Sequence, residues 1–208
     1  MEIRSFTIQT LERLPYYLHY MESRETEDVS SRDLANALGL NEVQVRKDLA
    51  AVSSKAGRPR RGFERKPLIR DIREALGFGR MDEAVIVGVG HLGTALINYK
   101  GFRELGLRIV AGFDLQVEDE IWVNETPVFS SDHLKNLIPR LNVKMAILTV
   151  NSENAQAVCD ELVAAGIRAI WNFSQVMLNV PDNVIVRNEN MAASLAVLSE
   201  YLSTGNNK

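Results

Sequence analysis

Residues 83–96 read EAVIVGVGHLGTAL, and the order of residue types in this stretch decides the fold. An apolar run, Ala84 to Val87, enters a loop holding Gly88, Gly90 and Gly93 and continues into a helix-forming segment. Strand, glycine loop and helix in that order open a dinucleotide-binding βαβ unit. Gly88 permits the tight turn, Gly90 lets the backbone approach a pyrophosphate, and Gly93 lets helix and strand pack closely. The helix start, with His91 and Leu92, offers unpaired N–H groups and the positive end of its dipole to phosphates. His91 itself either touches phosphate or simply fills the loop. A second strand, RIVAGFD at 108–114, ends in Asp114, 21 residues after Gly93. Asp114 is placed to accept hydrogen bonds from the adenosine ribose hydroxyls. Leu115 and Gln116 follow it, so a 2′-phosphate would meet a carboxylate with no cation beside it. NAD(H) is expected rather than NADP(H).

Downstream, strand and helix alternate. SDHLKNLIPRL (131–141) and SENAQAVCDELVAAG (152–166) read as helices; VKMAILTV (143–150), IRAIWNF (167–173) and NVIVRN (183–188) read as strands. This alternation predicts a Rossmann-like, doubly wound parallel sheet over residues 81–188. Thr149 and Val150 fall at the C-terminal end of a strand, the edge where such sheets bind ligands. Two other readings of the glycine loop stay open: a tight turn with no ligand, and another nucleotide-like ligand such as coenzyme A. Residues 189–208 hold Met191, Leu195, Leu198 and Leu202 at helical spacing. They predict a terminal helix that packs on its own domain or on a partner subunit.

Upstream, residues 1–80 predict a separate domain. TIQTLERLPYYLHYMES carries Leu11, Leu14, Leu18 and Met21 at helical spacing, with Pro15 kinking or restarting the helix. Ser30, with Asp33 three residues on, opens a second helix that Gly39 ends. Asn41 caps a third, EVQVRKDLAAV, with Gln44 at the capping-box position. Helix, glycine turn, helix is a helix-turn-helix pattern, whose second helix lies in the major groove. That helix carries Gln44, Arg46 and Lys47, side chains suited to base edges and phosphates. SSKAGRPRRGF (53–63) then predicts a short hairpin, the wing of a winged helix, in which Lys55, Arg58, Arg60 and Arg61 lie on the phosphate backbone. The alternative is a solvated charged loop beside an ordinary helical hairpin.

Charge favours DNA. Residues 46–66 hold eight basic and two acidic residues, while the 208-residue chain has a net charge of −3. Residues 1–80 are +3 and the remainder −6, the asymmetry expected of a nucleic-acid-binding half. The N-terminus shows no basic segment followed by an apolar one, and no apolar run approaches the roughly 18 residues of a membrane span. One cysteine, Cys159, fits a reducing cytosol. A cytoplasmic protein without membrane partners is expected. The three histidines are scattered with no carboxylate pair or nucleophile beside them, and no residues remain for a substrate domain. A ligand-responsive DNA-binding protein is therefore favoured over an NAD-dependent oxidoreductase.

Taken in order, QVRKDL, GVGHLGTALINYKGF, Phe113-Asp114, LTV, AQAVCDELVAAGI and IWNF resemble the Rex family of bacterial redox-sensing transcriptional repressors over nearly the whole chain. The resemblance implies a homodimer of winged-helix and Rossmann domains on an inverted-repeat operator. It implies a C-terminal helix swapped onto the partner and release from DNA by NADH. It also places Tyr99, in NYKGF, near the nicotinamide. The chain departs from the family pattern in its wing, AGRPRRGF, and at NFSQ (172–175). His19 stands where an arginine is usual, and Asn190 where an aspartate is usual. DNA and NAD(H) binding are expected to survive these departures better than the redox switch, so a switch lost or retuned to another ligand stays open.

Overall fold

A computed structural model describes residues 6–78 and 82–205. The chain divides into two compact units, residues 1–81 and 82–208. The boundary expected at 80/81 lies outside the described residues.

The first unit runs α1 (Ile8–Glu22), β1 (Asp28–Val29), α2 (Ser31–Leu38), α3 (Glu42–Val52), β2 (Phe63–Glu64) and α4 (Arg65–Ala75). Helix α1 continues through Pro15 and buries Leu14, Tyr17, Leu18 and Met21. These side chains meet Leu34 of α2, Val45, Leu49 and Val52 of α3, and Leu68 and Ile72 of α4 in one core. Local chemistry sets the helix ends. The Ser30 hydroxyl accepts from the Asp33 N–H at 3.0 Å and donates to the Asp33 carboxylate at 2.8 Å, a reciprocal cap. Gly39 closes α2 at a φ of 65°. The Asn41 side-chain oxygen accepts from the N–H groups of Val43 and Gln44.

After α3 the chain turns back on itself. Arg58 and Gly62 form an antiparallel bridge around Pro59, Arg60 and Arg61, and β2 pairs with β1 through Val29↔Phe63. Arg60 takes a φ of 66° at the tip. Gly62 is required here: a Cβ would lie 2.2 Å from the Val29 carbonyl oxygen. Four helices, a two-stranded ladder and this tight hairpin make a winged helix-turn-helix.

In the second unit a seven-stranded sheet has the order β5-β6-β4-β3-β7-β8-β9. Its strands are β3 (Asp82–Val87), β4 (Leu107–Asp114), β5 (Ile121–Val123), β6 (Thr126–Ser130), β7 (Met145–Leu148), β8 (Ala169–Asn172) and β9 (Ile185–Asn188). All neighbours are parallel except the β5–β6 hairpin. Without β5, the order is that of a doubly wound Rossmann sheet, whose strand order reverses beside β3. The hairpin is an addition that strand–helix alternation did not predict. Helices α7 (Leu134–Leu141) and α8 (Ser152–Ala164) pack on one face, with Leu134, Ile138, Ala155, Cys159 and Leu162 in the larger core. The other face is thinner. There α5 (His91–Ile97) and α6 (Gly101–Glu104) cover Ile86, Ile109 and Ile147, with Phe102, Trp171 and Phe173 beside them. Helix α9 (Met191–Gly205) ends the unit, with Leu195, Leu198 and Leu202 all exposed.

Among the described residues no helix is long and apolar enough to cross a membrane, and no cluster of three His, Cys, Asp or Glu side chains could hold a metal.

Candidate nucleic-acid interface and dinucleotide site

In the first unit, α3 turns Gln44, Arg46 and Lys47 to solvent while Val45, Asp48 and Leu49 face the core. The hairpin exposes Lys55, Arg58, Arg60 and Arg61. These seven residues are not equivalent. Lys55 donates to the Glu64 carboxylate at 2.9 Å and Arg58 pairs with its other oxygen. Arg46, Lys47, Arg60 and Arg61 have no acidic partner among the described residues, so their charge is fully available to phosphate. Arg65, in the same basic run, is structural: its guanidinium donates to the carbonyls of Thr26 (2.7 Å) and Met21 (3.0 Å).

The sequence reading missed Asp48, which counted only as an acid within a basic window. It is 2 % exposed. Its carboxylate accepts from Thr10 Oγ1 (3.2 Å), Arg13 Nε (2.7 Å), Arg13 Nη2 (3.0 Å), Tyr17 OH (2.8 Å) and Gln44 Nε2 (3.0 Å). Gln44 therefore reaches forward one turn to Asp48. Burial pushes the Asp48 carboxyl pKa up. The hydrogen bonds from Arg13, Tyr17 and Gln44, with the Arg13 charge, outweigh that and hold it below the usual carboxylate range. Burial first, and then the bond to Asp48, push the Tyr17 phenol up to about 12. A second acid, Asp71 of α4, anchors the start of the wing by accepting from the Ser54 N–H and hydroxyl, both at 2.7 Å.

In the second unit the glycine loop sits where the strand order reverses. Gly88 has a φ of 93°, and a Cβ there would lie 2.8 Å from the Thr149 backbone. At Gly93 a Cβ would lie 2.1 Å from the Gly88 carbonyl oxygen, so α5 meets the strand end with no room for a side chain. Gly90 differs, with open space around its Cβ position. Gly90 is the N-cap of α5, and the absence of a side chain leaves its backbone open to a ligand. The N–H groups of His91, Leu92 and Gly93, in the first turn of α5, have no intrahelical acceptor. Thr149 acts beneath the loop, its hydroxyl donating to the Gly88 carbonyl at 2.6 Å. Val150, half-buried, follows it at the same edge.

Asp114, at the end of β4, holds the loop. One carboxylate oxygen accepts from the Val89 N–H at 2.6 Å and the other from the Gln116 N–H at 2.8 Å. A carboxylate has about four acceptor sites, which leaves capacity for two ribose hydroxyls. Beside it opens a cleft of about 300 Å³ lined by Val87, Leu115, Ser131, Lys135, Asn154 and Val158, among others. Apart from Val87 and Leu115, these residues come from the sheet edge and the faces of α7 and α8, positions that no motif in the sequence marks. A bare backbone at Gly90, free N–H groups, a carboxylate with spare acceptors and an adjoining cleft together fit a dinucleotide. Tyr99 lies on the other face, 59 % exposed, stacked edge-on against Phe102 at 5.0 Å. Phe102, Trp171 and Phe173 continue that aromatic row. Cys159 is buried, and burial raises its thiol pKa to about 11, which leaves it protonated and unreactive.

Comparison with known proteins follows the same division. Residues 8–50 match the family described as "Putative DNA-binding protein N-terminus", and residues 80–176 match the CoA binding domain family. The redox-sensing transcriptional repressor Rex of Treponema denticola is 40 % identical over 201 residues, 94 % of each chain. That of Clostridioides difficile is 34 % identical over 206 residues, 97 % of this chain and 98 % of its own. A solved structure of RSP in complex with beta-NAD+ and operator DNA superposes with a TM-score of 0.87 at 30 % identity, covering 97 % of this chain and 94 % of RSP. RSP in complex with beta-NADH gives 0.85 at 30 % identity, over 99 % and 97 % of the two chains.

Proposed function

The chain belongs to the Rex family of redox-sensing transcriptional repressors, and from that premise we propose that it is a DNA-binding repressor that answers the NADH/NAD⁺ ratio. NADH releases it from an inverted-repeat operator; it is not an enzyme. One observation carries this reading. Exposed cations without acidic partners on a helix-turn-helix and wing share a chain with a glycine loop built to take a pyrophosphate.

The geometry supports the following roles, and the family resemblance supports that of Tyr99. Arg46 and Lys47 enter the major groove with Gln44, and Arg60 and Arg61 at the wing tip lie on phosphates. Lys55 and Arg58 contribute less, because Glu64 already neutralises part of their charge. The N–H groups of His91, Leu92 and Gly93 hold the pyrophosphate, with Gly88 and Gly90 giving access. Asp114 holds the adenosine ribose and Thr149 fixes the loop. Val150 lines the edge, and Tyr99 lies near the nicotinamide. The bound cofactor supplies the redox signal; the protein supplies only differential affinity between its states. The protein acts as a homodimer. Residues 1–80 and 81–188 form its DNA- and NAD(H)-binding domains, and the exposed leucines of α9 pack on the partner subunit. The cytoplasm is its place of action.

A second reading, a Rex scaffold with a retuned switch, rests on Asn190. Its side-chain oxygen accepts from the Ala193 N–H at 2.9 Å and caps α9. An uncharged cap there forms no ion pair. Titrating NADH and NAD⁺ separately against the protein bound to an operator duplex tests both readings. Release by NADH alone supports the first. Release by neither, with DNA binding intact, supports the second.

A further inference from the structure

We propose that Asp48 is a positioning residue for base readout: from the buried face of the recognition helix it fixes the Gln44 amide so that its carbonyl oxygen and one N–H are left for a base edge. The inference rests on the DNA-binding reading above and deepens it.

Gln44 lies in the first turn of α3 and is exposed, while Asp48, one turn later, is buried. Gln44 Nε2 donates to Asp48 Oδ1 at 3.0 Å. A carboxylate only accepts, so it binds the NH₂ end of the amide and repels the carbonyl end. The amide therefore has one orientation. Asp48 cannot swing away to release it, because Arg13, Tyr17 and Thr10 of α1 hold both its oxygens. With one N–H so engaged, the amide keeps one N–H and the carbonyl oxygen. That is the pair which meets adenine N7 and the adenine amino group in the major groove. A side chain already fixed in this way loses less rotamer freedom on binding. The competing explanation is a helix-stabilising pair four residues apart. It predicts a uniform loss of affinity, not a change in base preference.

The test uses the full-length protein, a Rex-family operator duplex and its single-base-pair variants. Wild type should prefer adenine at one position of each half-site by about tenfold, within the range for a bidentate contact. Gln44→Ala should abolish that preference. Asp48→Asn, whose amide also accepts the flipped Gln44, should reduce it at least about threefold at the same position, more than affinity for non-operator DNA falls. Equal weakening on all duplexes by Asp48→Asn overturns the inference. Where Asp48→Asn does not fold, ¹⁵N relaxation of the Gln44 side-chain amide in the DNA-free wild type decides. An order parameter near the rigid-backbone value of about 0.85 supports it, and one below about 0.6 overturns it. If wild type binds no duplex in a salt-dependent way, the DNA-binding reading fails and the inference with it. Binding with base preferences indifferent to Gln44 overturns the inference alone.

Discussion

Asp114 shows how one residue serves structure and ligand together. It accepts from the Val89 and Gln116 N–H groups and so shapes the loop it also lines. Asp114→Ala should weaken NAD(H) binding by about tenfold or more, given ~1.5–3 kcal/mol for a hydrogen bond to a charged group. DNA binding without cofactor should be unchanged; calorimetry and anisotropy check the two halves, and unaltered NADH affinity would remove Asp114 from the site. Gly93→Ala would drive a methyl into the Gly88 carbonyl, a clash costing roughly 1–3 kcal/mol, read as a lower melting temperature and weaker NADH binding. The buried Asp48 and Tyr17 pair gives the first unit a pH signature. The Asp48 pKa is lowered on folding, so its contribution is present above about pH 4 and is lost as pH falls through the depressed value. The Tyr17 pKa is raised, so its contribution is present below pH 10 and lost between 10 and about 12. Tyr17→Phe should remove the alkaline part of that profile in chemical denaturation. None of the Asp48 network was legible in the sequence. Its partners Thr10, Arg13 and Tyr17 lie 31 to 38 residues away, and an acid between Lys47 and Leu49 reads as surface charge until the helix faces are set.

At the scale of elements, the strongest local signals were the most legible. Ser30, Gly39 and Asn41 mark helix ends by chemistry that acts within four residues, and the structure places the caps on them. The glycine loop was legible because each glycine answers a separate steric demand. The β5–β6 hairpin was not. Ile121–Val123 spans one pleat, too short for alternation to show, and its turn relies on Asn124 at a φ of 50°. The adjoining cleft was hidden for another reason: α7 and α8 contribute residues whose meeting depends on the tertiary fold. The wing was legible as a charged turn, but the charges available to DNA were not, since Glu64 neutralises part of the charge of Lys55 and Arg58. Arg60→Gly, which suits the φ of 66°, should flatten the salt dependence of operator affinity by about one unit. Lys55→Ala should flatten it less. Equal slopes for both variants would contradict the division of charge described here.

For the whole molecule, coupling needs a second state that NADH and NAD⁺ stabilise unequally; equal affinity shifts nothing. Helix α9 presents Leu195, Leu198 and Leu202 to solvent in the single chain, an exposed apolar row of the kind that marks an interaction surface. Truncation before Met191 should convert the dimer to monomer in sedimentation and abolish high-affinity binding to an inverted repeat, which requires two half-sites to be held together. The measurement that bears most directly on the central claim is fluorescence anisotropy of an operator duplex with the full-length protein, titrated with NADH and, separately, with NAD⁺. The account predicts that NADH releases the DNA and NAD⁺ does not. Binding unchanged by either nucleotide would contradict it.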